Sequence, residues 1–473
     1  MSAAELDPHL WLPEPELAFH PDRVEDRHAH PLRGLLEHGP YSAGLVMDPI
    51  RVATIAPHRE GEPLYTFMGE LRQAHTPRER REYLPTWPGF RTVFNVKMAA
   101  AKGRHVQLPA DADGRMSAST RPHADLAELL TRAIDELAAH RADFDVIFIY
   151  LPERWAAGFE GDEGEDFDLH DHLKAFTALR GIPIQLVREG KALSYACRAS
   201  VMWRIGLALY AKAGGIPWKL ADVEPEAAYI GLSYAVRAQG SAARFVTCCS
   251  QVFDEQGGGL EFIAYDARDV RIERDNPFLS RNEMFKVMTR SMDVYRRRHA
   301  GRVPRRVVVH KTTEFKRDEV EGCFDALHVA ESVDLVQVVE NTGWRGMRID
   351  RPRQGEKKGR PAPFPLARGS LLPIGDYEAL LWTQGDVRDI APRGSFYQGG
   401  KSIPEPLKLV RHAGHGPWND TARAVLSLSK MDWNNDALYD RLPVTLGYAK
   451  VLARTVKRMP SLGSHPYQFR FFM

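Results

Sequence analysis

The chain has 473 residues, 44% of them hydrophobic and 27% charged, with 64 lysines and arginines against 62 aspartates and glutamates. This is the composition of an ordinary globular protein of two or three domains, and it excludes a collagenous or wholly disordered chain. The formal charge is only +2, so a nucleic-acid partner has to be argued from local clusters.

The four cysteines, Cys197, Cys248, Cys249 and Cys323, have no CxxC spacing, which points away from a disulfide framework or zinc ribbon and toward a reducing, cytoplasmic setting. The opening MSAAELDPHLWLPEPELAF has no basic region leading into an apolar one, and no later stretch offers 18 consecutive apolar residues. Neither secretion nor membrane spanning is expected.

Residues 1–44 are rich in Pro, His and charge with little periodicity, and read as an extension that packs on something. From 45 to 220 the pattern becomes regular. IRVATIAP reads as a buried strand, PLYTFMGELRQAH and HADLAELLTRAIDELAAH as helices, and DVIFIYLP as a strand buried on both faces. DLHDHLKAFTALRG then fits a helix, IPIQLV a strand, and ACRASVMWRIGLALYAKAGG a long helix stopped by Gly214 and Gly215. Strands alternating with helices imply an α/β unit with a parallel, Rossmann-like sheet. The acidic stretch GFEGDEGEDFD (158–168) reads as a solvated loop, since it has no rigid spacing of metal ligands.

A second unit, 221–473, opens with the strand AAYIGLSYAVR, followed by ARFVTCCSQVFDEQGGGLEFIAYDA, two strands joined across a Gly-rich turn. The helix NEMFKVMTRSMDVYRRRHAG leads to the strand RRVVVHKTT, and LPVTLGYAKVLARTVKRM closes the chain as an amphipathic helix. Three hairpin-like strands, a helix and a further strand describe the opening of an RNase H-like sheet. Basic residues cluster at Arg78, Arg80 and Arg81, at Arg296–Arg298 with Arg302, Arg305 and Arg306, and over WRGMRIDRPRQGEKKGR (344–360). Each cluster alone reads first as a solvated face.

The set with chemical content is His170, Lys174, Gln185 and Lys212. His170 and Lys174 are four apart on one helix face, Gln185 follows in the next strand, and Lys212 ends the long helix before a Gly-Gly turn. Two cations and neutral donors suit a dianionic phosphate through charge-assisted hydrogen bonds. By themselves the four residues read first as ordinary surface side chains, with the phosphate pocket as the alternative.

Their order and spacing, HDHLK, then IPIQL, then YAKAGGIPWKL, resemble the guide 5′-phosphate pocket of the Argonaute MID domain. The strands IRVATIAP and DVIFIYLP resemble MID elements, and PLRGLLEHGPYS (31–42) resembles the segment leading into them. The second unit resembles a PIWI domain, whose RNase H chemistry uses carboxylates holding two metal ions. Where that family carries its carboxylates, this sequence has Ser233 in YIGLSYAVR, Thr312 in HKTT and Lys450 in LGYAK. A hydroxyl does not supply a carboxylate's charge and a lysine repels a metal, so the resemblance implies a protein that does not cut. Asp254, Glu255, Asp266 and Asp269 read as surface carboxylates of a hairpin and its exit. ARGSLLPIGDYEALLWTQGD and YQGGKSIPEPLKLVRHAG resemble PIWI segments that line the nucleic-acid channel.

The resemblance is to short prokaryotic Argonautes, with MID and PIWI domains and no room for the N and PAZ domains of longer ones. It implies a 5′-phosphorylated guide RNA, a complementary single-stranded DNA target from plasmid or phage, and a Mg2+ ion at the guide phosphate held by the carboxylate of Met473. It also implies a heterodimer with an APAZ-containing effector, of sirtuin type first and TIR or nuclease type next, whose activation depletes NAD or degrades nucleic acid and halts the infected cell. Two other readings stand beside it: an active guided endonuclease using displaced carboxylates, and a structural subunit with a vestigial pocket.

Overall fold

In the computed structural model the described residues are 9–239, 243–254, 256, 259–274, 276–352, 354–355, 357–388, 390, 394–397, 403–459 and 467–473, without the side chains of 237–239, 243–251 and 259–261. A short strand, β1 (Leu10–Trp11), and a helix, α1 (Pro31–His38), begin the described chain. The first regular unit follows with β2 (Ile50–Ala56), α2 (Glu62–Arg72), β3 (Met98–Gln107), α3 (Pro122–Ala138), β4 (Val146–Leu151), α4 (Leu169–Ala178), β5 (Ile184–Arg188) and α5 (Arg198–Lys212). Its four strands run parallel in the order β3-β2-β4-β5.

Parallel strands covered on both faces bury every residue, and β4, VIFIYL, is buried throughout. Leu126, Leu130, Ile134 and Leu137 recur along one face of α3 and close against Phe144, Ile147 and Ile149. The edge strand β3 has no counterpart in the sequence reading. Its residues, MAAAKGRHVQ, mix small, charged and apolar side chains without the alternation that marks a strand, and pairing with β2 decides its conformation.

The second unit contains β6 (Ala227–Gln239), β7 (Ala243–Phe253), β8 (Gly259–Ala267), α6 (Arg281–Arg298), β9 (Arg306–Lys311), α7 (Arg317–Leu327) and β10 (Ser332–Val339). It continues with β11 (Ser370–Pro373), β12 (Glu378–Leu381), β13 (Leu407–Ala413), α8 (Trp418–Leu428) and α9 (Val444–Val456). One sheet in the order β1-β11-β12-β13-β10-β9-β6-β7-β8 joins its strands. The hairpin β6-β7-β8 is antiparallel, and β9 lies parallel to both β6 and β10. The apolar parts of the two segments expected along a channel are therefore sheet strands: Leu371, Leu380, Leu381, Leu407 and Leu409 are all fully buried.

The N-terminal extension packs on both units. Leu10 pairs with Leu371 at the edge of the large sheet, Leu17 pairs with Leu220, and Glu14 takes ion pairs from Arg368 Nε at 2.8 Å and Lys430 Nζ at 2.7 Å. Among the described residues no helix is long and apolar enough to cross a membrane.

Candidate functional site

The two units meet at a pair of adjoining cavities. One, of about 460 Å³, is lined by His170, Gln185, Ser200, Arg204, Lys212, Asn434 and Met473 among others. The other, of about 380 Å³, shares His170, Asn434 and Met473 and adds Lys174, Asp432, Asp440 and Arg454. The four residues singled out in the sequence thus come together although they span three elements.

Each is placed by a local cause. Asp168 caps α4, its side chain accepting from the Asp171 N–H at 2.9 Å, which sets His170 in the first turn and Lys174 one turn later. His170 is half exposed, whereas Lys174 is 3% exposed and donates from Nζ to the Phe472 carbonyl at 2.9 Å. Lys212 is the last residue of α5, before Gly214 at φ 97°, a left-handed position that glycine takes without Cβ strain. Its Nζ donates to Gln185 Oε1 at 2.6 Å, and it too is 3% exposed.

Neither lysine makes an ion pair with a carboxylate among the described residues. Their partners are a carbonyl and an amide oxygen. Burial pushes the Lys174 ammonium down to about 8. Lys212 is driven well below its ordinary value by burial and then by the neighbouring Lys174 charge, and His170 is lowered chiefly by burial. Two buried ammonium groups beside one another are a costly arrangement that a bound anion relieves. The chain's end belongs to the same place: Phe472 is fully buried against Phe262, Tyr467, Leu452 and Ala175, which draws the tail in beside α4.

At the positions expected to be degenerate, β6 and β9 run in register from Ala227–Arg306 to Gly231–His310. Ser233 lies two residues beyond that last pair on β6, and Thr312 two residues beyond it, just past the end of β9. Helix α9 crosses them closely: a Cβ on Gly231 would stand 2.0 Å from the Thr445 carbonyl oxygen, and His310 Nδ1 lies 2.9 Å from Thr445 Oγ1. Lys450 is half exposed and ion-paired with Glu340. Among the described residues, the groups of three His, Cys, Asp or Glu side chains near enough to share a cation are His123 with Asp162 and Glu165, and Asp168 with His170 and Asp171. Both lie in the first unit, the former touching the acidic 158–168 loop.

The surface reading of Asp254 needs correction: it is 9% exposed and pairs with Lys219 Nζ at 3.5 Å, because β7 ends against the Lys219–Leu220 strand. Asp266 lies on β8 opposite Thr247, the Asp269 carbonyl accepts from the Ser280 N–H, and Glu255 lies outside the described residues, as do the side chains of Cys248 and Cys249. Cys197 and Cys323 are buried free thiols. Of the basic clusters, Arg306 is held by Asp334 and Glu224, Arg348 by Asp386, and Arg80 by Asp436. Sequence reasoning passed over Asp432, Asn434 and Asp440. The polar run DWNND (432–436) is their one visible signal.

No family model matches the chain. Over 164 residues, 34% of this chain and 20% of the relative, it is 29% identical to the protein argonaute of Thermus thermophilus. Its fold is similar to that of Clostridium butyricum Argonaute bound to a guide DNA and a 19-mer target DNA, with a TM-score of 0.63 at 16% identity over 96% of this chain and 53% of that one. The Argonaute of Aquifex aeolicus matches with a TM-score of 0.59 at 14% identity, covering 99% of this chain and 57% of that one. The chain therefore spans a little over half the length of the solved structures it matches. The chain is thus similar in sequence to an Argonaute over about a third of its length, and similar in fold to Argonautes over nearly all of it.

Proposed function

We propose that the chain holds the 5′ phosphate of a nucleic-acid guide, RNA first, between His170, Lys174, Gln185 and Lys212, and pairs that guide with a complementary single-stranded DNA without cutting it. The observation that carries the reading is the pair of buried ammonium groups that make no ion pair with a carboxylate among the described residues. A dianionic phosphate supplies the missing charge, and each charge-assisted contact is worth about 1.5–3 kcal/mol. Specificity would then come from base pairing, with the protein contacting backbone and shape.

Non-cleavage is supported by the residue types at Ser233, Thr312 and Lys450, none of which offers an anionic oxygen to a divalent ion. A Mg2+ ion is part of the proposal at the guide end only. The Gln185 oxygen is already taken by Lys212, so the fitting oxygen donors are the Met473 carboxylate and the phosphate itself. Such an ion would neutralise charge between those two groups and carry no chemistry. We further propose that the paired guide and target activate a separate APAZ-containing effector bound as a heterodimer, of sirtuin type first and TIR or nuclease type next. The outcome would be plasmid or phage defence through NAD depletion or nucleic-acid loss in the cytoplasm, a part of the reading that rests on family resemblance.

The decisive experiment compares binding of a short 5′-phosphorylated RNA with the same RNA bearing a 5′ hydroxyl. A preference of at least tenfold that Lys174→Ala abolishes, with no metal-dependent cut in a paired DNA, is the expected result. Equal binding would leave a structural subunit with a vestigial pocket, and target cleavage would leave a guided endonuclease.

A further inference from the structure

Arg80 belongs to a basic cluster that reads in the sequence as a solvated face, yet its side chain is only partly exposed and its guanidinium is engaged by the protein. Nη2 donates to Ser200 Oγ at 2.6 Å and to Asp436 Oδ2 at 3.0 Å, and Ser200 Oγ donates to the same Asp436 oxygen at 2.7 Å. Ser200 is in the first turn of α5, the helix that ends in Lys212. Asp436 is in the loop between α8 and α9, which also carries Asn434, a residue on the wall shared by both cavities. Ser200 and Asp436 are both buried while the Arg80 side chain is 31% exposed, so the triangle closes at the edge of the buried seam with its two acceptors shielded from water.

The preceding residue extends the contact. Tyr195 lines the larger cavity and its hydroxyl donates to the Glu79 carboxylate. Residues 79 and 80 therefore reach three pieces of the cavity wall: the loop after β5, the start of α5, and the α8–α9 loop of the other unit. Arg80 does so from a backbone φ of 53°, a left-handed conformation that a side-chain-bearing residue adopts only when its surroundings hold it there.

We propose that Arg80 is a positioning residue for the anion pocket: by joining Ser200 to Asp436 across the seam between the two units, it fixes the wall bearing Asn434 against the wall bearing Lys212 at the spacing a guide phosphate requires. This rests on the guide-phosphate reading above. A cavity closed by one charged hydrogen-bonded triangle loses its spacing when the triangle opens, and a phosphate enclosed between the Lys212 side and the side bearing Asn434 and Met473 needs that spacing, whereas contacts to the rest of a guide do not.

The test measures the full chain's affinity for a short 5′-phosphorylated RNA and for its 5′-hydroxyl counterpart, in wild type, Arg80→Ala, Arg80→Lys and Ser200→Ala, with the melting temperature of each. Arg80→Ala is expected to lose the phosphorylated RNA by about tenfold while binding the hydroxyl RNA as before, and Arg80→Lys, which still reaches Asp436, to recover part of the loss. Ser200→Ala removes one hydroxyl and keeps the question answerable if Arg80→Ala does not fold; it is expected to show the same selective loss, smaller. If wild type does not distinguish the two RNAs, the guide-phosphate reading itself fails. If wild type distinguishes them and Arg80→Ala and Ser200→Ala do so equally well, or lose both RNAs in parallel with melting temperature, Arg80 is structural and the inference is overturned.

Discussion

Two of the places where this molecule buries lysines do it in opposite ways. At the junction of β9 with α7, Lys311 is 1% exposed and meets a Glu319 that is wholly buried, Nζ to Oε1 at 2.6 Å and to Oε2 at 2.7 Å, while Glu319 also accepts from the backbone N–H groups of Leu279 and Lys316. In the cavity between the units Lys174 and Lys212 are each 3% exposed and, among the described residues, donate to a carbonyl and an amide oxygen with no carboxylate in ion-pair contact. The junction is complete without a ligand, and the proposed phosphate would complete the cavity. A buried charge that has its own partner belongs to the fold, whereas one that lacks a partner is a vacancy for something else.

The largest effect should come from breaking the finished side. Lys311→Met leaves the Glu319 carboxylate buried and uncompensated, which costs about 3–5 kcal/mol in the unfolding free energy, read from denaturant midpoints. A loss under about 1 kcal/mol would mean that the two sites do not differ as described. Gly231→Ala tests the close packing of the neighbouring strand β6 against α9: its Cβ would meet the Thr445 carbonyl at 2.0 Å, and a cost of roughly 1–3 kcal/mol or more is expected in the same measurement.

The unfinished side should answer differently. Lys212→Met removes a buried charge that nothing neutralises, so the free protein should be as stable or up to about 1–4 kcal/mol more stable. Its preference for a 5′-phosphorylated over a 5′-hydroxyl RNA should fall about tenfold. A marked loss of stability would show Lys212 to be as structural as Lys311.

The smallest effect concerns the carboxylates at the pocket's edge. Burial and the neighbouring Asp432 push the Asp440 carboxyl up to about 7. A carboxyl whose folded pKa exceeds its unfolded one, about 3.9, stabilises fully below the unfolded value, and the contribution is lost as pH rises through the folded one. Unfolding free energy should therefore fall by about 1 kcal/mol per pH unit between pH 5 and 7, and Asp440→Asn should flatten that slope. A slope unchanged by the substitution would remove Asp440 as its source.

Much of the frame was legible in the sequence because it depends on local patterns. Buried runs such as VIFIYL and RVVVHK mark parallel strands, the i, i+4 spacing puts His170 and Lys174 on one side of a capped helix, and the Gly-Gly after Lys212 stops α5 where the ammonium enters the pocket. Edge strand β3 and the two-residue strands of the N-terminal extension were not legible, because short or irregular strands take their conformation from the neighbour they pair with.

By itself, then, the sequence determined the order of the elements that carry a local pattern, and which residue types stand at the cavity and at positions 233, 312 and 450. Only the tertiary structure decided which charges are partnered. Lys311 finds Glu319 eight residues away, Lys430 finds Glu14 from 416 residues away, and Arg80 finds Asp436 from 356, while Lys174 and Lys212 make no ion pair with a carboxylate among the described residues. Local spacing fixes backbone conformation, but the energy of a charge depends on burial and on what lies within a few ångströms, and residues far apart in the chain supply both.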